Sequence, residues 1–348
     1  MTATSIYNET LKKFQARIDL ELDEADSLLQ AIFQQQLSEI QVAALLVTLA
    51  AKGESISEIA GFARAMRRSA LKLDHQQTQL VDTAGTGGDS SGSFNISTAA
   101  AFVIAGAGVP VAKHGNRAIS GRCGSADVLS SLGVRIDAPK AVFERCLARC
   151  GITFLFAPAF HQAMKVVSRV RKELGIRTIF NLLGPLLNPA GAKRQIIGVY
   201  SPHLTEVFAE VLRLLGCEHA LIFSGEDGLD EITVSHRTKV TEIKVGQIRT
   251  HYLEPESFGI QRTPTEQLAG GDTEQNGKIL RNILEAKLNG AKQDVVLLNA
   301  AAGIYVSGQT DSIYNGLELA RASLESRRAL EKLEKLVAFS TITETAKG

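Results

Sequence analysis

Over the first 75 residues apolar side chains recur three and four apart, and no stretch alternates in the two-residue rhythm of a strand. Ser38 to Gln41 (SEIQ) forms a capping box, and Val42, Leu45, Leu46 and Leu49 follow on one helical face. Gly53 suits the stop, and Ser55 to Glu58 (SISE) opens another helix whose apolar side is Ile56, Ile59, Phe62, Ala63 and Met66. The rhythm changes near residue 80. Leu80 to Ala84 predicts a short strand that runs into Gly85-Thr86-Gly87-Gly88-Asp89, followed by a helix from Ser97 to Ala105 and a strand at 109–112. A polar loop, Lys113 to Gly124, then leads into a helix from Ser125 to Leu132. Further strands are predicted at 153–156, 195–200, 220–223, 239–245 and 294–299, with helices at about 140–149, 203–215, 275–288 and 311–335. This alternation predicts an α/β fold: a small all-helical domain, then a larger domain with a mainly parallel sheet flanked by helices. The expected division is 1–75 for the helical domain and 76–348 for the α/β domain. The strandless segment at about 162–190 is expected to return to the helical domain.

Composition narrows the function. At 348 residues, with 45% hydrophobic and 22% charged side chains, the chain has material for a core larger than one domain ordinarily holds. Lys plus Arg number 38 against 37 Asp plus Glu, so the net charge of +1 provides no global field for nucleic acid or an anionic membrane. Aromatics are only 5% and Trp is missing, which speaks against stacking platforms for single strands. The apolar stretch Thr98 to Ala112 is about 15 residues and broken by glycines and a proline, too short to span a bilayer. The start, MTATSIYNETLKKF, carries no apolar signal-peptide core. Cys123, Cys146, Cys150 and Cys217 form no C-x-x-C pair and read as small buried hydrophobes in a reducing cytoplasm.

The candidate chemistry concentrates in four stretches. Residues 85–124 hold nine of the 30 glycines, and the excess lies in loops that follow predicted strands, where α/β sheets bind ligands. Glycines in GTGGD let backbone N–H groups approach an anion, and the helix after Asn95-Ile96-Ser97-Thr98 points its free N–H groups and dipole the same way. Read alone, the same residues also make a tight turn and an N-cap. The second stretch, Lys113 to Asp127, mixes Lys113, Arg117 and Arg122 with His114, Asn116, Ser120 and Ser125, a content that suits a polyanion such as a pyrophosphate. The third, Gly225 to Glu231, places Glu226, Asp227, Asp230 and Glu231 within six residues, either a solvated loop or hard oxygen ligands of the kind Mg²⁺ takes together with substrate phosphates. The fourth runs from Val170 to Pro189. Its Arg171 is either a solvated helix cation or a clamp for a carboxylate.

Together these stretches resemble the anthranilate phosphoribosyltransferase family. The matching pieces are GTGGD at 85–89, NIST at 95–98, KHGNRAISGRCGSADVL at 113–129, VRKELGIRTIFNLLGPLLNPAG at 170–191 and DGLDE at 227–231, in the family's order. The resemblance implies transfer of a phosphoribosyl group from 5-phosphoribosyl 1-diphosphate (PRPP) to the amine of anthranilate in tryptophan biosynthesis, on a nucleoside phosphorylase/phosphoribosyltransferase-like fold. It also implies a cytoplasmic homodimer joined through the helical part, without nucleic-acid or membrane partners. Residue by residue, it implies that PRPP is held by Gly85, Gly88, Asp89, Ser93, Asn95, Ile96, Ser97, Thr98, Lys113, His114, Gly115, Asn116, Arg117, Ala118, Ile119, Ser120, Gly121 and Ser125. Gly85, Asn116 and Arg171 would contact anthranilate, and two Mg²⁺ would involve Ser97 on one side and Asp230 with Glu231 on the other. An aromatic amine is neutral at pH 7, so no residue is assigned as general base. Three positions depart from the family's usual residues: Ser93 for Thr, Gly121 for Ser, and Gln162 for Pro. A pyrimidine nucleoside phosphorylase, which uses free phosphate and a nucleoside, is the rival enzyme reading. A silent nucleic-acid-binding relative is the other, and the +1 charge and the intact Asp230–Glu231 pair speak against it.

Overall fold

Hydroxyl caps decide where two of the first helices begin. In the computed structural model, which describes residues 3–89, 91–118 and 123–342, the opening elements are Ala3–Gln15, Leu22–Phe33, Glu39–Lys52 and Ile56–Ser69. Ser38 accepts from the Gln41 N–H at 3.3 Å while the Gln41 side chain accepts from the Ser38 N–H at 2.9 Å, and Ser55 and Glu58 repeat the exchange. Gly61 brings the second and fourth helices together, since a Cβ there would lie 2.6 Å from that of Ala25. Leu28, Leu29, Leu45, Leu46, Leu49, Ile59 and Phe62 are buried between the helices. Val167 and Val170 of the later helix Lys165–Leu174, then Ile179, Phe180, Leu183 and Leu186, belong to the same apolar cluster. Phe62 meets Phe180 edge to face at 6.0 Å. The cluster continues into Ile197, Val199 and Ile222, so it also covers one face of the sheet.

The seven strands are β1 (Val81–Gly85), β2 (Val111–Gly115), β3 (Ile152–Phe156), β4 (Arg194–Gly198), β5 (His219–Gly225), β6 (Thr238–Lys244) and β7 (Gln247–Leu253). They lie in the order β3-β2-β1-β4-β5-β6-β7. The first five are parallel, joined through helices such as Ile96–Gly106 and Leu204–Leu214, and β6 and β7 add an antiparallel edge. The chain leaves β1 for β2 on one side and later returns to β4 on the other. That reversal opens a crevice at the carboxyl end of β1, the place where open α/β sheets bind ligands.

The expected strand at 294–299 is corrected: these residues lie inside the helix Ala291–Ser307. Val-Val-Leu-Leu reads equally as a buried strand or as a helix that is apolar all round, and the Ala-rich continuation settles it as the latter. A Cβ on its Gly303 would lie 2.2 Å from Ile104, so the glycine lets this helix pack closely on Ile96–Gly106. The single helix expected at 311–335 is two, Ile313–Glu325 and Arg328–Thr341, separated where Arg327 turns to φ 59°. Strand β7 was not anticipated. Val245 and Gly246, at φ 50° and 76°, close a two-residue hairpin whose second strand is polar and half-exposed. Among the described residues no helix is long and apolar enough to cross a membrane.

Candidate active site

Strands β1 and β4 end side by side, with Gly85 paired to Gly198. The two glycines leave the room that Asp230 fills. A Cβ on Gly198 would fall 1.6 Å from the Asp230 carbonyl oxygen, and one on Gly85 would fall 2.9 Å from Asp230 Oδ2. Beyond Gly85 the chain takes left-handed values at Gly87 (φ 61°) and Gly88 (φ 78°), and the Gly87 N–H donates to Asp230 Oδ2 at 3.0 Å. Glu231 Oε1 accepts from the Ser97 N–H at 3.1 Å, in the first turn of the helix Ile96–Gly106. Burial, and then the charge of Asp89, push the Asp230 carboxyl up to about 7. Burial, and then Asp230, raise Glu231 well above the usual carboxylate range. Asp89 Oδ2 is buried and meets no donor. Asn299 fixes the chain after the doublet, accepting from the Ile232 N–H at 3.0 Å and donating to the Ile232 carbonyl at 2.9 Å. Asp227 fixes it from before, accepting from Thr233 Oγ1 at 2.7 Å.

Lys113 and His114 lie on β2 and are buried. The Lys113 ammonium donates to the Thr83 carbonyl, to Thr83 Oγ1 at 3.2 Å and to Ser97 Oγ at 3.2 Å. Burial draws it below its ordinary value, against the opposing charges of Asp82, Glu231 and Asp230. The His114 N–H donates to Asp82 Oδ1 at 3.0 Å, and its ring meets the ring of His161 at 5.1 Å. Burial, and then His161, push His114 down to about 3; burial pushes His161 down to about 4. The loop beyond is closed by Asp127, which accepts from the Ala118 and Gly124 N–H groups, each at 3.0 Å, and pairs with Arg117 at 2.7 Å. Burial acts to raise Asp127, yet these donors outweigh it and hold the carboxyl low. Ser125 Oγ donates to the Asn116 carbonyl at 3.2 Å.

A further side of the site was missed in the sequence. Ala269, Gly270, Gly271 and Asn276 line the same cavity. The Asn276 side chain donates to Asn95 Oδ1 at 3.2 Å and accepts from the Gly271 N–H at 2.8 Å, while Asn95 donates to the Cys123 carbonyl at 3.1 Å. The available signal was Gly270-Gly271-Asp272 ahead of a capping box, in which Asp272 accepts from the Gln275 N–H at 2.9 Å.

The helical side of the lining adds cations. Arg171 lies half-buried on the helix Lys165–Leu174, 5.2 Å from the Phe180 ring, and burial lowers it from its ordinary value. Among the described residues its guanidinium has no hydrogen-bond or ion-pair partner. Arg177 and Tyr200, neither singled out in the sequence, also line the cavity. The cavity measures about 1330 Å³. It brings together Gly85, Gly88, Asp89, Ser93, Asn95 to Thr98, Lys113 to Ala118, Ser125, Arg171, Asp230 and Glu231. Ile119, Ser120 and Gly121 lie outside the described residues. No three His, Cys, Asp or Glu side chains among the described residues form a protein-only metal cage. The donor set instead suits Mg²⁺, which takes one or two carboxylates together with substrate phosphates, and the crowded, donor-poor Asp89, Asp230 and Glu231 invite a cation.

Comparison with known proteins bears on what fills this cavity. The chain matches the glycosyl transferase family models, the helical bundle domain over residues 8–70 and the a/b domain over 77–330. It is 48% identical over 330 residues to the anthranilate phosphoribosyltransferase of Syntrophobacter fumaroxidans, covering 95% of this chain and 98% of that protein. Among solved structures it is similar to the anthranilate phosphoribosyltransferase of Thermus thermophilus, with a TM-score of 0.90, 44% identity and coverage of 96% of this chain and 99% of that one. It is also similar to the Saccharomyces cerevisiae enzyme in complex with PRPP and Mg, with a TM-score of 0.88, 29% identity and coverage of 97% and 98%.

Proposed function

The chain belongs to the anthranilate phosphoribosyltransferases of the glycosyl transferase family, and on that premise we propose how its own residues carry out the transfer. The reaction moves the phosphoribosyl group of PRPP to the amine of anthranilate, giving N-(5-phosphoribosyl)anthranilate and pyrophosphate, in tryptophan biosynthesis. Magnesium is the cofactor. In our reading, PRPP lies against Gly85, Gly88, Asp89, Ser93, Asn95 to Thr98, Lys113 to Ala118 and Ser125. Ile119, Ser120 and Gly121 complete that set on the resemblance alone. Two Mg²⁺ are held with the diphosphate, by Ser97 on one side and Asp230 with Glu231 on the other. Bound there, the ions supply positive charge to the leaving group.

The remaining work belongs to the chain. Lys113 sets its charge beneath the donor and keeps Ser97 oriented through a 3.2 Å bond. Arg171 takes the anthranilate carboxylate, and Asn116 and Gly85 complete the acceptor's seat, which turns a bimolecular encounter into an aligned one. The amine attacks C1 of the ribose, the C1–O bond to pyrophosphate breaks, and the amine's surplus proton leaves after attack. No general base is assigned. The observation that carries this reading is one cavity lined both by three crowded carboxylates and by a half-buried arginine whose side chain has no hydrogen-bond or ion-pair partner among the described residues.

The boundaries 1–75, about 162–190 and 76–348 are our reading of the domains, supported by the apolar cluster shared by residues 167–187 and the first four helices. A homodimer through the helical part is supported by Ile40 and Val47, exposed by 83% and 42% on the helix Glu39–Lys52. A cytoplasmic location is supported by four cysteines that are all free thiols. The test is fluorescence depletion of anthranilate with PRPP and Mg²⁺, matched by pyrophosphate release. Phosphate-dependent cleavage of thymidine without anthranilate consumption would overturn the reading.

A further inference from the structure

Arg177 has no role in the chemistry described so far, yet it occupies a built position. Its Nη2 donates to the Gly88 carbonyl at 2.9 Å, and its guanidinium stacks 4.5 Å from the Tyr200 ring centre. A Cβ on Gly88 would sit 2.6 Å from that same nitrogen, so the glycine serves the guanidinium's approach as well as the left-handed turn. The arginine's neighbour in the chain and its stacking partner are themselves anchored. Next to Arg177, the Thr178 N–H donates to Asn181 Oδ1 at 3.0 Å. The Tyr200 N–H donates to Thr86 Oγ1 at 3.2 Å, and the Thr86 N–H donates to the Gly198 carbonyl at 2.9 Å. Among the described residues Arg177 has no carboxylate partner. Its one hydrogen bond inside the cavity wall is therefore spent on the turn's backbone.

We propose that Arg177 is a positioning residue for PRPP: stacked on Tyr200, it grips the Gly88 carbonyl and thereby sets the turn that carries Asp89. A trans peptide plane carries its C=O and its N–H on opposite edges, so holding the Gly88 oxygen also fixes the direction of the Asp89 N–H. Only Gly175 (φ 61°) and Ile176 separate Arg177 from Leu174, the last residue of the helix that bears Arg171, and both arginines thus hang from one short segment. The donor turn and the acceptor arginine are tied to the same piece of chain. The inference rests on reading the GTGGD turn as a PRPP anchor.

Steady-state kinetics with each substrate varied in turn, together with thermal unfolding, test it. Arg177→Ala raises KM for PRPP about tenfold or more, as loss of a hydrogen bond to a charged group does, with KM for anthranilate, kcat and Tm little changed. Arg177→Lys restores less than half of the loss, because an ammonium cannot stack and bond in the guanidinium's plane. Tyr200→Phe, which keeps the ring, stays near wild type, and Tyr200→Leu shifts KM for PRPP in the direction of Arg177→Ala. The double variant Arg177→Ala/Tyr200→Leu is no worse than Arg177→Ala alone. An unchanged KM for PRPP in Arg177→Ala, or strictly additive effects of the pair, overturns the proposal. Gly87→Val separates this failure from that of the underlying reading, since it strains the turn at φ 61° where no atom lies within 4 Å of the added Cβ. If Gly87→Val raises KM for PRPP and Arg177→Ala does not, only the role of Arg177 falls; if neither does, the turn is not the anchor and both fall.

Discussion

The two walls of the cavity are built on opposite electrostatic plans. On the sheet side, Asp89, Asp230 and Glu231 crowd together, and burial lifts the last two toward their neutral forms. Their partners are backbone N–H groups of the glycine turn and of a helix start. On the helical side, Arg171 is half-buried with an aromatic neighbour and, among the described residues, no anion. Carboxylates crowded this closely cannot ionise beside a diphosphate without cations, whereas a guanidinium with no anion among the described residues accepts a carboxylate directly. On the proposed reading, this contrast means that the donor arrives together with metal, while the acceptor needs none.

Variants that strike one wall and spare the other break or sharpen that contrast. The largest effect is expected from Asp230→Asn with Glu231→Gln: kcat/KM falls by about 10²-fold or more and the Mg²⁺ concentration for half-maximal rate rises. A Mg²⁺ titration curve that superimposes on wild type would remove the doublet from the metal site. Arg171→Ala comes next, with KM for anthranilate up about 10- to 100-fold and KM for PRPP unchanged, the loss of one charge-assisted hydrogen-bond pair. A rise confined to PRPP would put Arg171 on the wrong wall. Gly198→Ala strikes the donor wall without touching a charge, because its Cβ must displace the Asp230 backbone. Chemical denaturation should show a loss of about 1–3 kcal/mol, accompanied by a raised Mg²⁺ requirement.

At neutral pH the smallest effect is at His161, whose weight appears only in acid. His161 is held down to about 4 by burial, so the folded protein keeps it neutral while the unfolded chain takes up a proton below about 6.5. Its contribution is fully present above pH 6.5 and is lost as pH falls toward 4. Relative to His161→Asn, the wild type should therefore lose about 1.4 kcal/mol of stability per pH unit through that window. Parallel denaturation curves for the two proteins across that range would show that His161 is not held neutral.

Much of this was legible because the donor chemistry lies in contiguous runs. GTGGD, NIST, KHGNR and the Asp230–Glu231 doublet each combine a local backbone geometry with the charges it serves, next to predicted strands. The cavity unites every one of these that the structure describes. What escaped was carried by single residues acting across long separations. Arg177 reaches Gly88 over 89 positions, Asn276 reaches Asn95 over 181, and Asn299 grips Ile232 over 67. A lone Arg or Asn in a sequence gives no sign of such a partner. Asn299 was further hidden by its apolar neighbours Val295 to Leu298, whose run fits a strand as well as the buried helix they form. Strand β7 escaped for the converse reason: an exposed edge strand has too few apolar positions to announce its period.

The central claim is that the donor wall accepts diphosphate and metal only as a unit. Calorimetric titration of Mg²⁺ into the protein with and without saturating PRPP, set against Mg²⁺ titrated into PRPP alone, measures that coupling. Weak Mg²⁺ binding to the free protein is expected, and binding at least about tenfold tighter once PRPP is present. Equal and tight Mg²⁺ affinity in the presence and absence of PRPP would contradict it.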